Sequence, residues 1–184
     1  MRALYLLFML LEKIAGERYV GLRRRQPCKN SVVHVFDVDD TLTRKPDGFD
    51  NTGLTKDDFF DASREFPVQQ AVLELAQMLA ADGDRIAIAT ARPPERLQET
   101  MEWLDKHNVP YDQVLHSSSS EPSGVVKQEM LLRCQQDYQM VGTLFDDSPF
   151  NIEGARLQGI DAVHLRTNQS YWNAHPEYIY KVSL

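Results

Sequence analysis

Residues 31–43 read S-V-V-H-V-F-D-V-D-D-T-L-T. Six residues, mostly apolar and three of them Val, run directly into Asp37, Asp39 and Asp40. The β-branched run predicts a buried strand. Carboxylates at the end of such a strand cost desolvation energy unless a cation or hydrogen-bond donors hold them. Asp37 and Asp39 are two positions apart, so continued strand geometry would put both on one face. An open α/β sheet takes its ligand at that place, outside the carboxyl ends of its strands. The competing reading is that Asp-Asp-Thr opens a turn and nothing more.

The composition suits one soluble α/β domain. The 184 residues are 42% hydrophobic and 26% charged, the balance of a globular chain long enough to bury a core. A formal net charge of -7 argues against a general nucleic-acid binder, whose footprint is a basic patch, and suits a site that recruits divalent cations. Cys28 and Cys134 are too few for a disulfide scaffold, and the five histidines show no zinc-ligand spacing with them. These features predict a cytoplasmic location and no structural metal.

Residues 1–30 form a separate segment. Arg2 precedes nine apolar residues, 3–11, which are too few to span a bilayer, and no Ala-x-Ala-like cleavage site follows. Arg23, Arg24 and Arg25 come next. The segment is read as an amphipathic helix that docks on the domain or on a second copy, giving a homodimer; a membrane-surface anchor and a signal peptide are the alternatives.

Beyond the opening strand, 44–67 is an irregular stretch rich in Asp, Phe, Pro and Gly, long enough to be a flap, with a short helix predicted over 56–63. Val68, Ala71, Val72, Leu75, Met78 and Leu79 recur at helical spacing over 68–81, closed by Asp82-Gly83. A strand over 85–90 ends in Thr90, and Pro93-Pro94 opens a helix that Asn108-Val109-Pro110 stops. A strand over 111–116, a Ser-rich loop and a helix carrying Lys127 follow. The strand over 140–145 ends in Asp146-Asp147; a helix and a fifth strand, 161–165, precede an aromatic tail. Strands alternating with helices predict right-handed βαβ units, a parallel sheet and three layers. There is no G-x-x-x-x-G-K-[ST] or G-x-G-x-x-G loop, so neither nucleoside triphosphates nor dinucleotides are expected ligands.

The residues at the strand ends form one series: Asp37, Asp39 and Thr41; then Thr90 with Arg92; then Lys127; then Asp146 and Asp147. In this order they resemble the four motifs of the haloacid-dehalogenase superfamily, over roughly 32–165. The resemblance implies a doubly wound parallel sheet, capless or with only the short flap over 44–67, within a domain spanning 31–184. It implies catalytic roles for Asp37 as nucleophile, Asp39 as general acid and base, and Thr90 and Lys127 as ligands of the phosphoryl oxygens. It implies Mg²⁺ held by the Asp37 carboxylate, the Asp39 carbonyl and Asp146 or Asp147, an oxygen-rich set that suits that ion. Thr41 and Arg92 are the candidate substrate-binding residues.

An Asp at position 39 favours phosphate-ester hydrolysis through an aspartyl phosphate. The Thr-Ala-Arg-Pro ending of the second strand and Phe-Asp-Asp at the fourth look like the 3′-phosphatase domain of phage-type polynucleotide kinase/phosphatases. That resemblance implies nucleic-acid 3′ ends or nucleotides as substrates. Arg92 could grip a second phosphate, and Phe49, Phe59 or Phe60 could stack on a base; alternatively Arg92 pairs with a nearby acid and the phenylalanines are core. Another small or protein-borne phosphate, or a non-catalytic binding module, are the remaining readings.

Overall fold

A computed structural model describes residues 19–23, as backbone, together with 31–117 and 123–165. Six strands run in chain order: β1 Tyr19–Arg23, β2 Val32–Phe36, β3 Arg85–Thr90, β4 Gln113–Ser117, β5 Met140–Asp146 and β6 Asp161–His164. They form one sheet in the order β1-β4-β3-β2-β5-β6. β2 to β6 pair in parallel, and β1 lies antiparallel on the β4 edge. The parallel sheet was legible in the sequence; the antiparallel edge was not. Tyr19–Arg23 falls in the segment read as helical, and as β1 it corrects that reading for these five residues. The rest of that 1–30 segment, 1–18 and 24–30, with the loop over 118–122 and the aromatic tail beyond 165, lies outside the described residues.

Among the described residues five α-helices connect the strands: α1 Lys56–Ser63, α2 Gln70–Ala81, α3 Leu97–Lys106, α4 Ser123–Asp137 and α5 Pro149–Leu157. Strand periodicity sorts the core onto two faces. Ile86 and Ile88 join Phe36, Leu42, α2 and α3 through Val72, Ala76, Trp103 and Leu104. Ala87 and Ala89 join Val33, Val35, α4 and α5 through Val126, Met130, Ile152 and Ala155. Covered on both faces, the sheet has three layers, as its continuous apolar strands require.

The helix over 68–81 begins later than its apolar spacing suggests, because Val68 forms an isolated antiparallel bridge with Thr43. The buried stripe of α2 is centred on Val72, Leu73 and Ala76, and Met78 is 65% exposed. The same bridge, with Arg44 N–H donating to Pro67 O and Gln69 N–H to Leu42 O, closes the neck of the flap over 44–67. The flap therefore leaves and re-enters the domain at one point. Its helix α1 starts on a capping box, in which the Thr55 hydroxyl accepts from Asp58 N–H and the Asp58 side chain accepts from Thr55 N–H. Inside it, Phe49 and Phe59 set their edges on the rings of Phe66 at 4.8 and 5.9 Å. The flap carries a small aromatic core of its own. No helix among the described residues is long and apolar enough to cross a membrane.

Candidate active site

The sheet order places β2 at the centre, with β3 and β4 on one side and β5 and β6 on the other. The carboxyl ends of β2 and β5 therefore flank the point where the direction of winding reverses, which is where open α/β sheets form their crevice. Asp37 follows β2 and Asp146 ends β5, so the topology delivers two carboxylates to one cleft. Regular strand geometry does not run on to Asp39. The chain enters a tight turn over Val38–Leu42, with Asp39 extended and Asp40 in the left-handed region at φ 61°. Asp tolerates that conformation better than most residues, and the turn is fixed by Thr43 Oγ1 accepting from Asp40 N–H and by Lys45 Nζ on the Asp40 carboxylate at 2.5 Å.

Lys127, on the first turns of α4, reaches this cleft and is 1% exposed. Its ammonium donates to Asp37 Oδ1 at 2.6 Å and to the Ala89 carbonyl, and lies 3.2 Å from Asp146 Oδ2. Asp146, wholly buried, is held further by Ser148 N–H and by Asn151 Nδ2, the latter 2.9 and 3.0 Å from its two oxygens. Asp147 has no hydrogen-bond donor on its carboxylate among the described residues. One carboxylate oxygen from each of Asp37, Asp146 and Asp147 lies within 4.8 Å of the others.

Two buried acids and the half-buried Asp147 around one lysine leave an excess of negative charge. Burial pushes the Asp37 carboxyl up to about 7, against the downward pull of Lys127 and with Asp146 and Asp39 adding to the rise. Burial, then the charges of Asp146 and Asp37, hold Asp147 well above the ordinary carboxylate range. Such strain is what a divalent cation with hard oxygen ligands removes, so this donor set fits Mg²⁺.

Asp39 belongs to a different grouping. Arg92 Nε and Nη2 donate to its two oxygens at 2.8 and 2.5 Å, a bidentate pair with the arginine 2% exposed. The guanidinium is filled out by Ser63 Oγ at 2.9 Å, Thr100 Oγ1 at 3.4 Å and the Phe60 ring at 5.8 Å. Arg92 is therefore spent on an acid inside the protein rather than turned outward, and the flap phenylalanines pack on one another. Thr41 and Thr90 are both fully buried. The Thr90 hydroxyl oxygen accepts from Arg92 N–H at 3.2 Å, which leaves its own O–H to donate. Thr41 Oγ1 has no partner among the described residues; a buried hydroxyl so placed calls for an acceptor.

The sequence reading gathered these residues into one constellation; the structure brings Asp37, Lys127, Asp146 and Asp147 to one point, and Asp39 and Arg92 to a second beside it. The sequence reading missed Asn151, Ser63, Thr100 and His116. Asn151 could have been suspected from its place five residues after Asp146 in a helix first turn; the others are visible only once the sheet is assembled.

His116, paired with Thr90 across β3 and β4, is fully buried. Its Nδ1–H donates to the carbonyls of Arg92 and Pro93 at 3.2 and 3.1 Å. Burial pushes its pKa down to about 4, the carbonyl contacts opposing only in part. The folded state thus refuses a proton that the unfolded chain, near 6.5, accepts. Stability contributed this way is complete above the unfolded value and is lost as pH falls from about 6.5 to about 4. Between pH 7 and pH 5 the wild type is expected to lose about 2 kcal/mol more than His116→Gln in urea unfolding. Equal losses would show that His116 titrates as it does in the unfolded chain.

No family model and no curated protein sequence matches the chain. Solved structures do. A chain of the Pnkp1/Rnl/Hen1 RNA repair complex superposes with a TM-score of 0.63 at 18% identity, over 78% of this chain and 45% of that one. A protein described as a HAD-like phosphatase from Mesorhizobium loti gives 0.58 at 13% identity, covering 79% and 78%. The class C acid phosphatase from Bacillus anthracis gives 0.59 at 15% identity, covering 85% and 75%. The fold is the haloacid-dehalogenase-like one, shared with phosphatases. This chain spans less than half the length of the RNA-repair chain it resembles.

Proposed function

We propose that the protein is a Mg²⁺-dependent phosphomonoesterase that works through an aspartyl phosphate on Asp37. The carrying observation is the buried cluster at the switch point, where Asp37 shares Lys127 with Asp146 and lies in ligating reach of Asp147. Asp37, Asp146 and Asp147, with the Asp39 carbonyl, would hold the ion, which when bound supplies the positive charge that lets a phosphate dianion approach carboxylates.

The chain's own residues account for the rest. An Asp37 oxygen attacks phosphorus, and the bond from phosphorus to the ester oxygen breaks. Asp39, protonated on a lone pair that Arg92 does not occupy, gives that proton to the departing oxygen; as a carboxylate it then takes a proton from the water that attacks the phospho-aspartate, and inorganic phosphate leaves with Asp37 restored. Thr41 and Thr90 supply donors for phosphoryl oxygens, and Lys127, its three N–H groups held by Asp37, Asp146 and the Ala89 carbonyl, supplies positive charge beside them.

For the substrate, the likeness to a chain of an RNA repair complex supports nucleic-acid 3′ ends or nucleotides. A second reading, some other phosphate monoester, is favoured by the flap: its phenylalanines are engaged with Phe66 and Arg92 with Asp39, so neither presents a surface for a base or a second phosphate. A panel of 3′-phosphorylated oligonucleotide, nucleoside monophosphates and 4-nitrophenyl phosphate separates these. Higher kcat/KM on the oligonucleotide supports the first, preference for the small esters supports the second, and turnover of none leaves a binding module.

Chelator is expected to abolish turnover and Mg²⁺ to restore it. Asp147→Ala should raise the Mg²⁺ needed for half-maximal rate by about 10- to 100-fold at little cost in stability. Asp146→Ala should lower the melting temperature as well, because Asn151, Ser148 N–H and Lys127 all lose a partner. Full activity in excess chelator would rule out the metal.

A further inference from the structure

We infer that Ser63, on the flap helix α1, is a positioning residue for proton transfer by Asp39, acting through Arg92. The inference rests on the phosphatase reading and goes beyond it, because it makes a residue of the flap part of the general-acid assembly. Asp39 sits on a turn, and among the described residues only the bidentate guanidinium fixes both of its oxygens. The guanidinium is aimed by three elements at once: its own loop after β3, Thr100 on α3, and α1 of the flap.

α1 makes two of these contacts from one face. Phe60 and Ser63 are three residues apart, so they lie one above the other on a helix. The Phe60 ring covers the guanidinium, and Ser63 Oγ accepts from Nη2 while donating to the Phe60 carbonyl at 2.8 Å. Ser63 is fully buried, so no water replaces it as the acceptor. Along the adjoining flank of α1, Arg96 binds Asp57 and Asp61, and Arg64 binds Glu99. These exposed pairs are individually weak, but all of them draw α1 toward α3. The neck bridge at Thr43 and Val68 fixes the other end of the flap. Displacing α1 therefore withdraws Ser63 and Phe60 from Arg92 and lets the Asp39 carboxyl wander.

Proton donation matters most when the departing oxygen is a poor leaving group. The test measures kcat/KM, which reports only steps up to departure of the alcohol, over phenyl phosphates of graded leaving-group pKa and one alkyl phosphate. Ser63→Ala is expected to lose about tenfold on the alkyl ester and much less on 4-nitrophenyl phosphate, so that leaving-group dependence becomes steeper. In an Arg92→Ala background the same change should cost nothing more, since Ser63 acts through that guanidinium. A loss parallel across the series, no loss at all, or a Ser63→Ala effect that adds to Arg92→Ala overturns the inference. Thermal melting of each variant separates misfolding from mispositioning. A wild-type protein inactive on every ester is a different failure, that of the phosphatase reading itself.

Discussion

Asp37→Asn is expected to lose at least about 10⁴-fold in turnover, the scale on which removing a nucleophile acts. The amide is nearly isosteric, so the hydrogen bond from Asp37 N–H to Phe145 O and the packing of the β2 end are retained. What disappears is the carboxylate proposed to attack phosphorus. The fold should survive, because the wild-type carboxylate is itself a burden: burial holds it near 7, and the neutral side chain relieves repulsion from Asp146. The check is steady-state kinetics beside a melting curve. Beryllium fluoride, a phosphoryl mimic, should attach to the wild-type protein and not to the variant. Retention of a tenth of the wild-type rate would falsify covalent catalysis at this residue.

Lys127→Met removes the cation and keeps most of the shape. Asp37 and Asp146 then lose the ammonium that lies 2.6 and 3.2 Å from them. Stripping one partner from a buried ion pair costs about 3 to 5 kcal/mol, here about 10 °C or more in Tm for a domain of this size. Turnover should fall in the same variant, since the positive charge proposed to face the phosphoryl group is lost. Millimolar Mg²⁺ is expected to return part of the lost Tm, because a divalent cation at Asp37, Asp146 and Asp147 offsets the exposed charge. A variant as stable as wild type in chelator would mean that these carboxylates are not held as anions around Lys127.

Much of this was legible from the chain because the signals are local. Buried parallel strands must be continuous apolar runs, and β2, β3 and β5 are; the helix over 56–63 was bounded correctly by its flanking turns. Acids and hydroxyls at the ends of such runs have few structural uses, so Asp37, Thr90 and Asp146 could be placed together before any contact was known. What escaped depends on distant partners. Val68 has helical spacing, yet its backbone pairs with Thr43 across the flap neck. Arg92 could be seen near the site, but whether it faced a ligand or an acid turns on Asp39, fifty-three positions away in the chain. Ser63 carries no motif at all. β1 was missed because a short edge strand has one paired side, and the arginines at its end drew the reading toward a surface helix.

The sheet order also sets the tempo at which this protein comes into being. β2 is synthesised early, yet it lies between β3 and β5, and Val33 must wait for Val141 on the second of these. Until β5 has left the ribosome, one side of the most apolar strand is unpaired and its terminal acids lack Lys127 or Asp146 beside them. Parallel pairing across long separations is slow and leaves hydrophobic edges open meanwhile. Arg85–Thr90 can dock on β2 first, giving a half-sheet whose other edge stays bare. The sheet and the carboxylate cluster are therefore completed together: no form cut before Asp146 brings Asp37, Lys127 and Asp146 to one point, and the nascent chain depends on prompt completion, or on a chaperone, to keep that edge from pairing with a neighbour.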